Sequence, residues 1–225
     1  RDLAAGRLAG AAEIIAPRTV RHGRAVLAAL AHGVTELAAV LTGADWPIIV
    51  RPVGSHAGRG LERIDGPGAL GAYLDGHAEA SFYIAPFVDY RSPDGLYRKY
   101  RVAFVEGRPF LVHLAISGHW MVHYLNAGML DDATRRAEEA QAMAGFDQGF
   151  AQRHRRAFAA LTQRFDLDYF GIDCAETADG RLLVFEVDNA LIVHDMDPPE
   201  LFPYKSPAVR RLFAAFQDML ERRAG

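Results

Sequence analysis

Apolar and polar residues alternate most regularly over residues 170–189, where two apolar runs flank Asp179-Gly180. An Asp-Gly pair between alternating runs is typical of a β-hairpin with a two-residue turn. Counting back from that turn gives three facing pairs: Asp173 with Glu186, Gly171 with Asp188, and Ala175 with Val184. The other face of the hairpin is apolar and is interpreted as core: Ile172, Cys174, Leu183, Phe185 and Val187.

Three carboxylates are therefore expected on one patch of this hairpin. Asp188 lies two residues after Glu186 and shares its face, so both join Asp173, with Gly171 leaving room beside them. Directly opposed like charges repel each other, so such a cluster indicates a bound cation. Oxygen ligands without Cys or His suit Mg²⁺ or Mn²⁺. The alternative is a hairpin whose acidic side chains merely face water.

The same patterns divide the rest of the chain into strands and helices. Apolar residues at helical spacing predict helices, and short β-branched or alternating runs predict strands. Expected helices cover residues 21–41 (broken at Gly33), 131–145, 150–165 and 207–223. Expected strands cover residues 47–53, 61–64, 81–84, 100–106 and 110–117. The last two form a second hairpin turning at Gly107-Arg108, which places Arg101 opposite Leu114 and Val102 opposite His113.

A glycine-rich loop, residues 54–60, follows the strand at 47–53. Glycines let backbone N–H groups approach an anion, so the loop is predicted to cover phosphates. Its candidate binding residues are Gly54, Ser55, His56, Gly58 and Gly60. The alternative is an ordinary flexible hairpin loop. Arg51, in the strand before the loop, needs an anionic partner if it is buried, either a phosphate or a structural carboxylate.

Three further motifs carry weaker signals. Residues 66–71 match G-x-G-x-x-G, but residues 61–65 are too polar for the buried strand that a dinucleotide site needs. Residues 85–89 form an apolar linker suited to adenine at Phe87 and Val88, with Asp89 for the ribose hydroxyls. His119 and His123 form an H-x-x-x-H without a third zinc ligand, which favours packing or a binding-site rim over a metal site.

Composition suits one globular domain or two closely packed subdomains: 225 residues, 50% hydrophobic, with net charge −3. The near-balanced charge disfavours a nucleic-acid partner, and no apolar run suggests a membrane span or signal peptide. The single cysteine, Cys174, is interpreted as a core residue and fits a reducing, cytoplasmic compartment. Because the chain starts at Arg1 without Met, it is expected to be part of a longer protein. A homo-oligomer is left open.

The order of these motifs resembles the ATP-grasp superfamily, in particular its glutathione-synthetase-like and ribosomal-protein-glutamate-ligase-like branch. The resemblance covers residues 46–189, from the Arg-bearing strand and glycine loop to the G-x-D strand and the FEVDN run. It implies an α+β fold in which two subdomains with mainly antiparallel sheets enclose a nucleotide cleft. It also implies a remnant of an upstream domain at 1–20, a small subdomain at 21–84 and a large one at 85–225. ATP and Mg²⁺ (or Mn²⁺) are the implied cofactors, and Asp173, Glu186 and Asp188 take the positions of the metal ligands.

The chain departs from the family pattern at several positions. Arg51 replaces the usual lysine before the glycine loop, and Asp188 stands where Glu-x-Asn has its asparagine. Ala85-Pro86 replaces the acidic hinge residue, leaving Asp89 as the nearest acid. The Lys-Arg that often ends the later strand is absent at Ile116-Ser117, and most of the amino-terminal substrate domain is missing.

The resemblance implies a ligase that activates a carboxylate as an acyl phosphate with ATP and then joins it to an amine or a thiol. Arg51 and the glycine loop would hold the phosphates, and Arg101 would clamp the acyl phosphate or substrate carboxylate. The acid and nucleophile, whether small molecules or a peptide, are left open. Two alternatives remain: a non-catalytic or degenerate ATP-binding module, and an ATP-grasp kinase.

Overall fold

A computed structural model describes residues 2–56 and 58–224. Two compact units make up the chain. Unit 1 holds the chain up to Gly6 with Pro17–Asp89, and unit 2 holds Arg7–Ala16 with the chain from Tyr90 onward. The residues of unit 2 that precede Pro17 include a two-residue strand, so the first part of the chain is shared between the units.

The chain contains groups of consecutive strands and groups of consecutive helices, as is typical of an α+β protein. The strands are β1 Ile14–Ile15, β2 Val20–Gly23, β3 Ile48–Pro52, β4 Glu62–Ile64, β5 Ser81–Pro86, β6 Tyr97–Val105, β7 Arg108–Ser117, β8 Tyr169–Glu176 and β9 Leu182–Asp188. The α-helices are α1 Asp2–Leu8, α2 Arg24–Ala31, α3 Leu37–Val40, α4 Pro67–Asp75, α5 Ala133–Ala144, α6 Phe150–Arg153, α7 Arg155–Phe165 and α8 Lys205–Ala224. A short 3₁₀ helix covers Tyr124–Asn126. None of the described helices is long and apolar enough to cross a membrane.

Unit 1 is built on a four-stranded antiparallel sheet in the order β2-β5-β3-β4. Its core joins apolar residues of β3 and β5 to α2, α3 and α4: Leu27, Leu30, Leu37, Ile48, Val50, Leu70, Phe82 and Ile84. The break expected at Gly33 in the helical segment 21–41 is confirmed, since α2 ends at Ala31 and Gly33 has a positive φ of 71°. The expected start of that segment is wrong, because Val20–Gly23 pairs with β5 as a strand. The G-x-G-x-x-G match starts at Gly66, the residue before α4, and continues into the first turn of that helix. The strand before it, β4, is an antiparallel edge strand and not the buried parallel strand of a dinucleotide site.

Unit 2 is built on a five-stranded sheet in the order β1-β9-β8-β6-β7, with only the β1–β9 pair parallel. One face carries Val102 and Phe104 of β6 and packs against α5, α6 and α7 through Met143, Phe150, Phe158 and Leu161. The alternate residues Ala103 and Val105 pack with Leu191 and, from α8, Leu212 and Met219. Cys174 is fully buried in the first cluster, and burial raises the pKa of its thiol well above the ordinary value.

The β6–β7 hairpin corrects one expected register. Its turn is Glu106-Gly107, both with positive φ, one residue earlier than the Gly107-Arg108 turn predicted from the sequence. An irregularity between Arg101 and Val102 then shifts the pairing again. Arg101 therefore faces His113 and Val102 faces Leu111, so the predicted pairings with Leu114 and His113 are wrong.

The β8–β9 hairpin reaches its predicted register by a different route. The Thr177 N–H donates to the Arg181 carbonyl at 3.0 Å, so the loop has three residues, 178–180, instead of two. This moves Ala175 opposite Leu183, and the predicted pairing with Val184 is wrong. A bulge at Phe185 restores the count, and the pairs Asp173–Glu186 and Gly171–Asp188 are confirmed. Because of the bulge, Phe185 is 38% exposed, so its interpretation as a core residue is wrong.

Candidate functional site

A row of polar side chains crosses unit 2 on neighbouring strands of its sheet. His113 of β7 faces Arg101 of β6, Arg101 faces Asp173 of β8, and Asp173 faces Glu186 of β9. Directly facing residues lie on the same side of a sheet with Cβ atoms about 5 Å apart. The register of these four strands therefore gathers one imidazole, one guanidinium and two carboxylates on one face.

Asp173 is held from two directions by cations of β6. The Arg101 Nε donates to Oδ1 at 2.8 Å and Nη2 donates to Oδ2 at 3.0 Å, while Lys99 Nζ donates to Oδ2 at 3.1 Å. The Asp173 side chain is 9% exposed. Burial by itself raises the pKa of this carboxyl group, but the hydrogen bonds and charges of Arg101 and Lys99 outweigh burial and hold the pKa well below its usual range. Asp173 is therefore an anion in the folded protein.

The carboxylate donors fit a hard divalent cation in chemical type, since Asp173, Glu186 and Asp188 offer only oxygen. Their register also agrees with the sequence prediction. Among the residues that the structure describes, however, no three His, Cys, Asp or Glu side chains are grouped closely enough to hold a metal ion. Both Asp173 oxygens bind cationic side chains, and Asp188 Oδ1 accepts the Ala190 N–H at 2.8 Å. The metal site stays a prediction.

The sequence suggested that Gly171 leaves room beside the carboxylates, but the structure shows that it does not. A Cβ added at Gly171 would lie 2.8 Å from Cβ and Cγ of Leu191, which fills the space. Leu191 is 6% exposed, and its carbonyl accepts the Tyr169 hydroxyl at 2.7 Å. The glycine is needed for packing of the segment that follows β9.

His113 is a residue of the site that sequence reasoning missed. Its side chain is buried, and no hydrogen-bond partner for Nδ1 occurs in the described part of the chain. The ring lies 4.5 Å from the Tyr124 ring, centroid to centroid. Burial, with the nearby charge of Arg101, lowers the pKa of His113 well below its ordinary value, so the ring is neutral at pH 7. A correct register from the first hairpin would have placed it beside Arg101.

A second buried charge cluster, also missed, surrounds Lys205 at the start of α8. Lys205 Nζ lies 2.8 Å from Asp197 Oδ2 and 3.4 Å from Glu139 Oε1, and it donates to the Tyr124 hydroxyl. Glu139 also accepts the Leu114 N–H at 3.0 Å, at the edge strand β7. The partners come from distant parts of the sequence, so no local signal predicts the cluster.

The glycine loop of unit 1 is fixed at both ends. Arg51, 7% exposed, donates from Nη2 to Ser55 Oγ at 3.1 Å and also to the Ser55 carbonyl. At the other end, the Tyr73 hydroxyl donates to the Gly60 carbonyl at 2.7 Å. Gly60 has φ +63° and an added Cβ would meet Pro52 at 2.9 Å, so only glycine fits there. Gly54 and His56 between these anchors are exposed, and Gly58 is half-buried.

The expected base-binding linker continues the pairing of β5 with β3 in the same sheet. The Phe87 N–H donates to the Pro47 carbonyl at 3.1 Å, and the Arg63 guanidinium lies 4.8 Å from the centre of the Phe87 ring. Val88 is half-buried and Asp89 is exposed. The contacts of these residues with a base and a ribose stay predictions.

The H-x-x-x-H motif is not on an α-helix. His119 precedes the 3₁₀ helix, and its Nδ1 accepts the Met121 N–H at 3.2 Å. His123 caps that helix, since its own N–H donates to Asn126 Oδ1 at 3.1 Å. The His119 imidazole therefore has a local structural contact, and His123 caps the helix through its backbone, in keeping with the packing interpretation.

Comparison with known proteins identifies the fold. No family model matches the sequence, and no curated protein matches it. Among solved structures, VanG D-Ala:D-Ser ligase from Enterococcus faecalis matches 96% of this chain and 60% of its own, with 13% identity and a TM-score of 0.52. D-Alanine-D-alanine ligase from Helicobacter pylori matches 96% of this chain and 56% of its own, with 12% identity and a TM-score of 0.50.

The chain has the ATP-grasp fold. The expected α+β class with mainly antiparallel sheets is thereby confirmed, and the fold is the one that the resemblance implied. At 12–13% identity the similarity establishes the fold alone. The chain also spans only 60% and 56% of the length of the two ligases, so the activity of a whole protein of this fold is a matter of proposal here.

Proposed function

We propose that this ATP-grasp protein is an ATP- and Mg²⁺-dependent carboxylate–amine (or carboxylate–thiol) ligase of the glutathione-synthetase-like and ribosomal-protein-glutamate-ligase-like branch. The observation that carries the proposal is the bidentate Arg101–Asp173 pair, facing Glu186 across β8 and β9 of this fold. It puts a planar cationic fork beside carboxylates on one face of the sheet. That arrangement suits binding of an acyl phosphate next to a divalent cation.

Each proposed role belongs to a particular group of residues. Arg51 and the glycine loop bind phosphate oxygens, through a guanidinium that is already hydrogen-bonded to Ser55 and through exposed backbone at Gly54 and His56. Ser55, Gly58 and Gly60 shape the loop. Phe87 and Val88 flank the base, and Asp89 binds the ribose.

The carboxylates of Asp173, Glu186 and Asp188 would hold the divalent cation. When bound, the cation neutralises charge on the transferring phosphoryl group. Arg101 holds the acyl phosphate oxygens with two parallel N–H donors, while Asp173 fixes the plane of its guanidinium. The single cysteine, buried in the core, is consistent with a proposed cytoplasmic location.

The proposed reaction balances without a protein nucleophile. A carboxylate oxygen of the acid attacks the γ-phosphorus of ATP, and the bond to the β,γ-bridging oxygen breaks to release ADP. The amine or thiol then attacks the acyl carbon, the C–O bond to phosphate breaks, and the proton of the nucleophile passes to solvent. The products are an amide or thioester, ADP and phosphate.

The test is ADP release by the purified protein with panels of carboxylic acids paired with amines or thiols, and mass analysis of the condensed product. Arg101→Met is expected to abolish condensation. Arg108→Met, an exposed arginine of the facing strand, is the matched control and keeps activity. A stable phosphorylated product without condensation identifies the kinase alternative and contradicts the ligase.

The non-catalytic alternative is favoured by one observation, the engagement of both Asp173 oxygens by Arg101 and Lys99. A decayed site predicts nucleotide binding that needs no divalent cation and no ADP release with any acid. Calorimetry with ATP, with and without MgCl₂, separates the two functions because the ligase requires the cation for tight binding.

A further inference from the structure

Lys99 occupies an oxygen that a metal ion in this site would need. It lies two residues before Arg101 on β6 and therefore shares its face. Its Nζ is 3.1 Å from Asp173 Oδ2, and its side chain is 12% exposed. The only other lysine of the chain, Lys205, is held by Asp197 and Glu139. Lys99 is thus the ammonium group associated with the carboxylate hairpin.

An ammonium and a divalent cation exclude each other from one carboxylate oxygen. Mg²⁺ binds oxygen ligands at about 2.0–2.1 Å, and Oδ2 already accepts hydrogen bonds from Lys99 and from Arg101 Nη2. A metal ion arriving there also meets a positive charge in a site where water screens poorly. Displacing Lys99 without giving it another anion leaves a largely buried ammonium unpaired, which is costly.

Arg101 and Lys99 differ in how readily they leave. The guanidinium makes two hydrogen bonds in a fixed planar geometry, whereas the ammonium makes a single contact to Asp173 at the end of a flexible stem. Lys99 is therefore the cation that a metal ion replaces, while Arg101 stays on Oδ1.

We propose that Lys99 is a resident counter-ion of the metal site, which keeps free divalent cations off Asp173 and yields only to a cation that arrives with nucleotide phosphates. The phosphate oxygens supply the anion with which the displaced ammonium pairs. Lys99 thereby couples metal binding to nucleotide binding, and by linkage the coupling acts equally in both directions. This inference rests on the proposed metal and nucleotide site, and it assigns a role that the fold similarity does not.

The experiment measures Mn²⁺ affinity by electron paramagnetic resonance, with and without AMP-PNP, for the wild type, Lys99→Met and Arg181→Met. Arg181 pairs with Asp179 in the exposed loop of the same hairpin, so its replacement removes an equal charge away from the site. The wild type is expected to bind Mn²⁺ weakly alone and strongly with AMP-PNP. Lys99→Met is expected to bind Mn²⁺ alone at least about tenfold more tightly, which is about 1.4 kcal/mol. Arg181→Met should match the wild type.

Unchanged or weaker binding of Mn²⁺ alone in Lys99→Met overturns the inference, as does a wild type that fails to bind Mn²⁺ in the presence of AMP-PNP. Lys99→Gln, which keeps a hydrogen-bond donor without the charge, gives the same test if Lys99→Met fails to fold. Lys99→Arg keeps the charge on a guanidinium that is displaced less readily, so its affinity for Mn²⁺ alone should not rise above that of the wild type. If AMP-PNP strengthens Mn²⁺ binding as expected but no ADP is released with any substrate, the ligase proposal is contradicted and the role of Lys99 is retained. If ADP is released but Lys99→Met leaves the coupling between Mn²⁺ and AMP-PNP unchanged, the role of Lys99 is contradicted and the ligase proposal is retained.

Discussion

Gly171→Ala tests whether the glycine beside the carboxylates serves packing and not ligand access. The added methyl group would lie 2.8 Å from Cβ and Cγ of Leu191, where ordinary contacts are 3.4–4 Å. Leu191 cannot easily withdraw, because the Tyr169 hydroxyl holds its carbonyl at 2.7 Å and its side chain is packed in the α8 cluster. We expect the substitution to destabilise unit 2.

The magnitude follows from two opposing effects. Overpacking a core site costs about 1–3 kcal/mol, as the neighbour leaves its preferred position. Ala restricts the unfolded chain more than Gly does, which returns about 0.4–1 kcal/mol. The mid-range values of about 2 and about 0.7 kcal/mol leave an expected net loss for Gly171→Ala of about 1.3 kcal/mol. Leu191→Ala alone should cost about 2–5 kcal/mol, because it leaves a cavity.

The assay is urea unfolding followed by tryptophan fluorescence. The chain has two tryptophans, and Trp46→Phe leaves Trp120 as a reporter in unit 2. In the double variant the methyl group at 171 occupies space that Leu191 vacated, so its cost should fall short of the sum of the single costs by at least about 1 kcal/mol. Gly118→Ala is the control, since an added Cβ there meets nothing within 4 Å.

Additive costs in the double variant would refute the reasoning, because they would mean that the two side chains do not compete for one space. A neutral Gly171→Ala would refute it as well, and would restore the idea that the glycine leaves an open space beside Asp188. Loss of stability in Gly118→Ala would show that the assay reports glycine replacement in general.

Three further outcomes are expected. Arg51→Met should weaken ATP binding in calorimetry by about 1.5–3 kcal/mol, and Arg51→Lys should restore much of it; normal ATP binding by folded Arg51→Met would contradict the phosphate role. Glu186→Gln should remain folded but lose the extra thermal protection that Mg²⁺ gives with an ATP analogue, and equal protection with and without Mg²⁺ in the wild type would contradict the metal site. The hydrogen bond from His154 and the charge of Arg153 lower the pKa of Glu176, so its contribution to stability is present above the unfolded pKa of about 4.3 and is lost as pH falls through the folded pKa. The difference in urea midpoint between the wild type and Glu176→Gln should accordingly shrink below about pH 4, and a difference that is constant with pH would count against the pairing.

The hairpin of β8 and β9 was predictable because its signals are local. Period-two alternation and the Asp-Gly pair locate the two strands and the turn between them. The pairing of Asp173 with Glu186 was also predicted, but by two errors that cancel: the loop has one residue more than expected, and the bulge at Phe185 removes the resulting shift. A bulge adds one residue without a distinctive composition, so counting along a sequence does not detect it.

The first hairpin shows the same limit without the cancellation. Its turn begins one residue earlier than predicted, which moves each facing partner by two residues, and the irregularity at Arg101 reverses only one of these two. Each single step exchanges the facing partner, so the buried His113 was assigned to Val102 and its place beside Arg101 was lost.

Contacts between distant parts of the sequence were not predictable for a different reason. The helix expected over residues 150–165 is interrupted at His154, whose Nε2 lies 2.6 Å from Glu176 Oε2, 22 residues away. The partners of Lys205 likewise come from other elements. Helical periodicity predicts which face of a helix is apolar, but it does not predict which residue of another element will pair with a polar side chain of that helix.

Asp173 has a structural role in the metal-free protein and a proposed role in metal binding. Without a metal ion, the carboxylate of Asp173 would repel that of the facing Glu186. Arg101 and Lys99 neutralise the Asp173 carboxylate in the metal-free protein. Losing a buried partner costs about 3–5 kcal/mol, so Asp173→Asn should destabilise the metal-free protein as well as weaken metal binding. A residue with only a structural role would show the first effect alone. Two measurements are therefore needed to assign the role of Asp173. The stability of the metal-free protein reports on its structural role, and the affinity for Mn²⁺ reports on its role in metal binding.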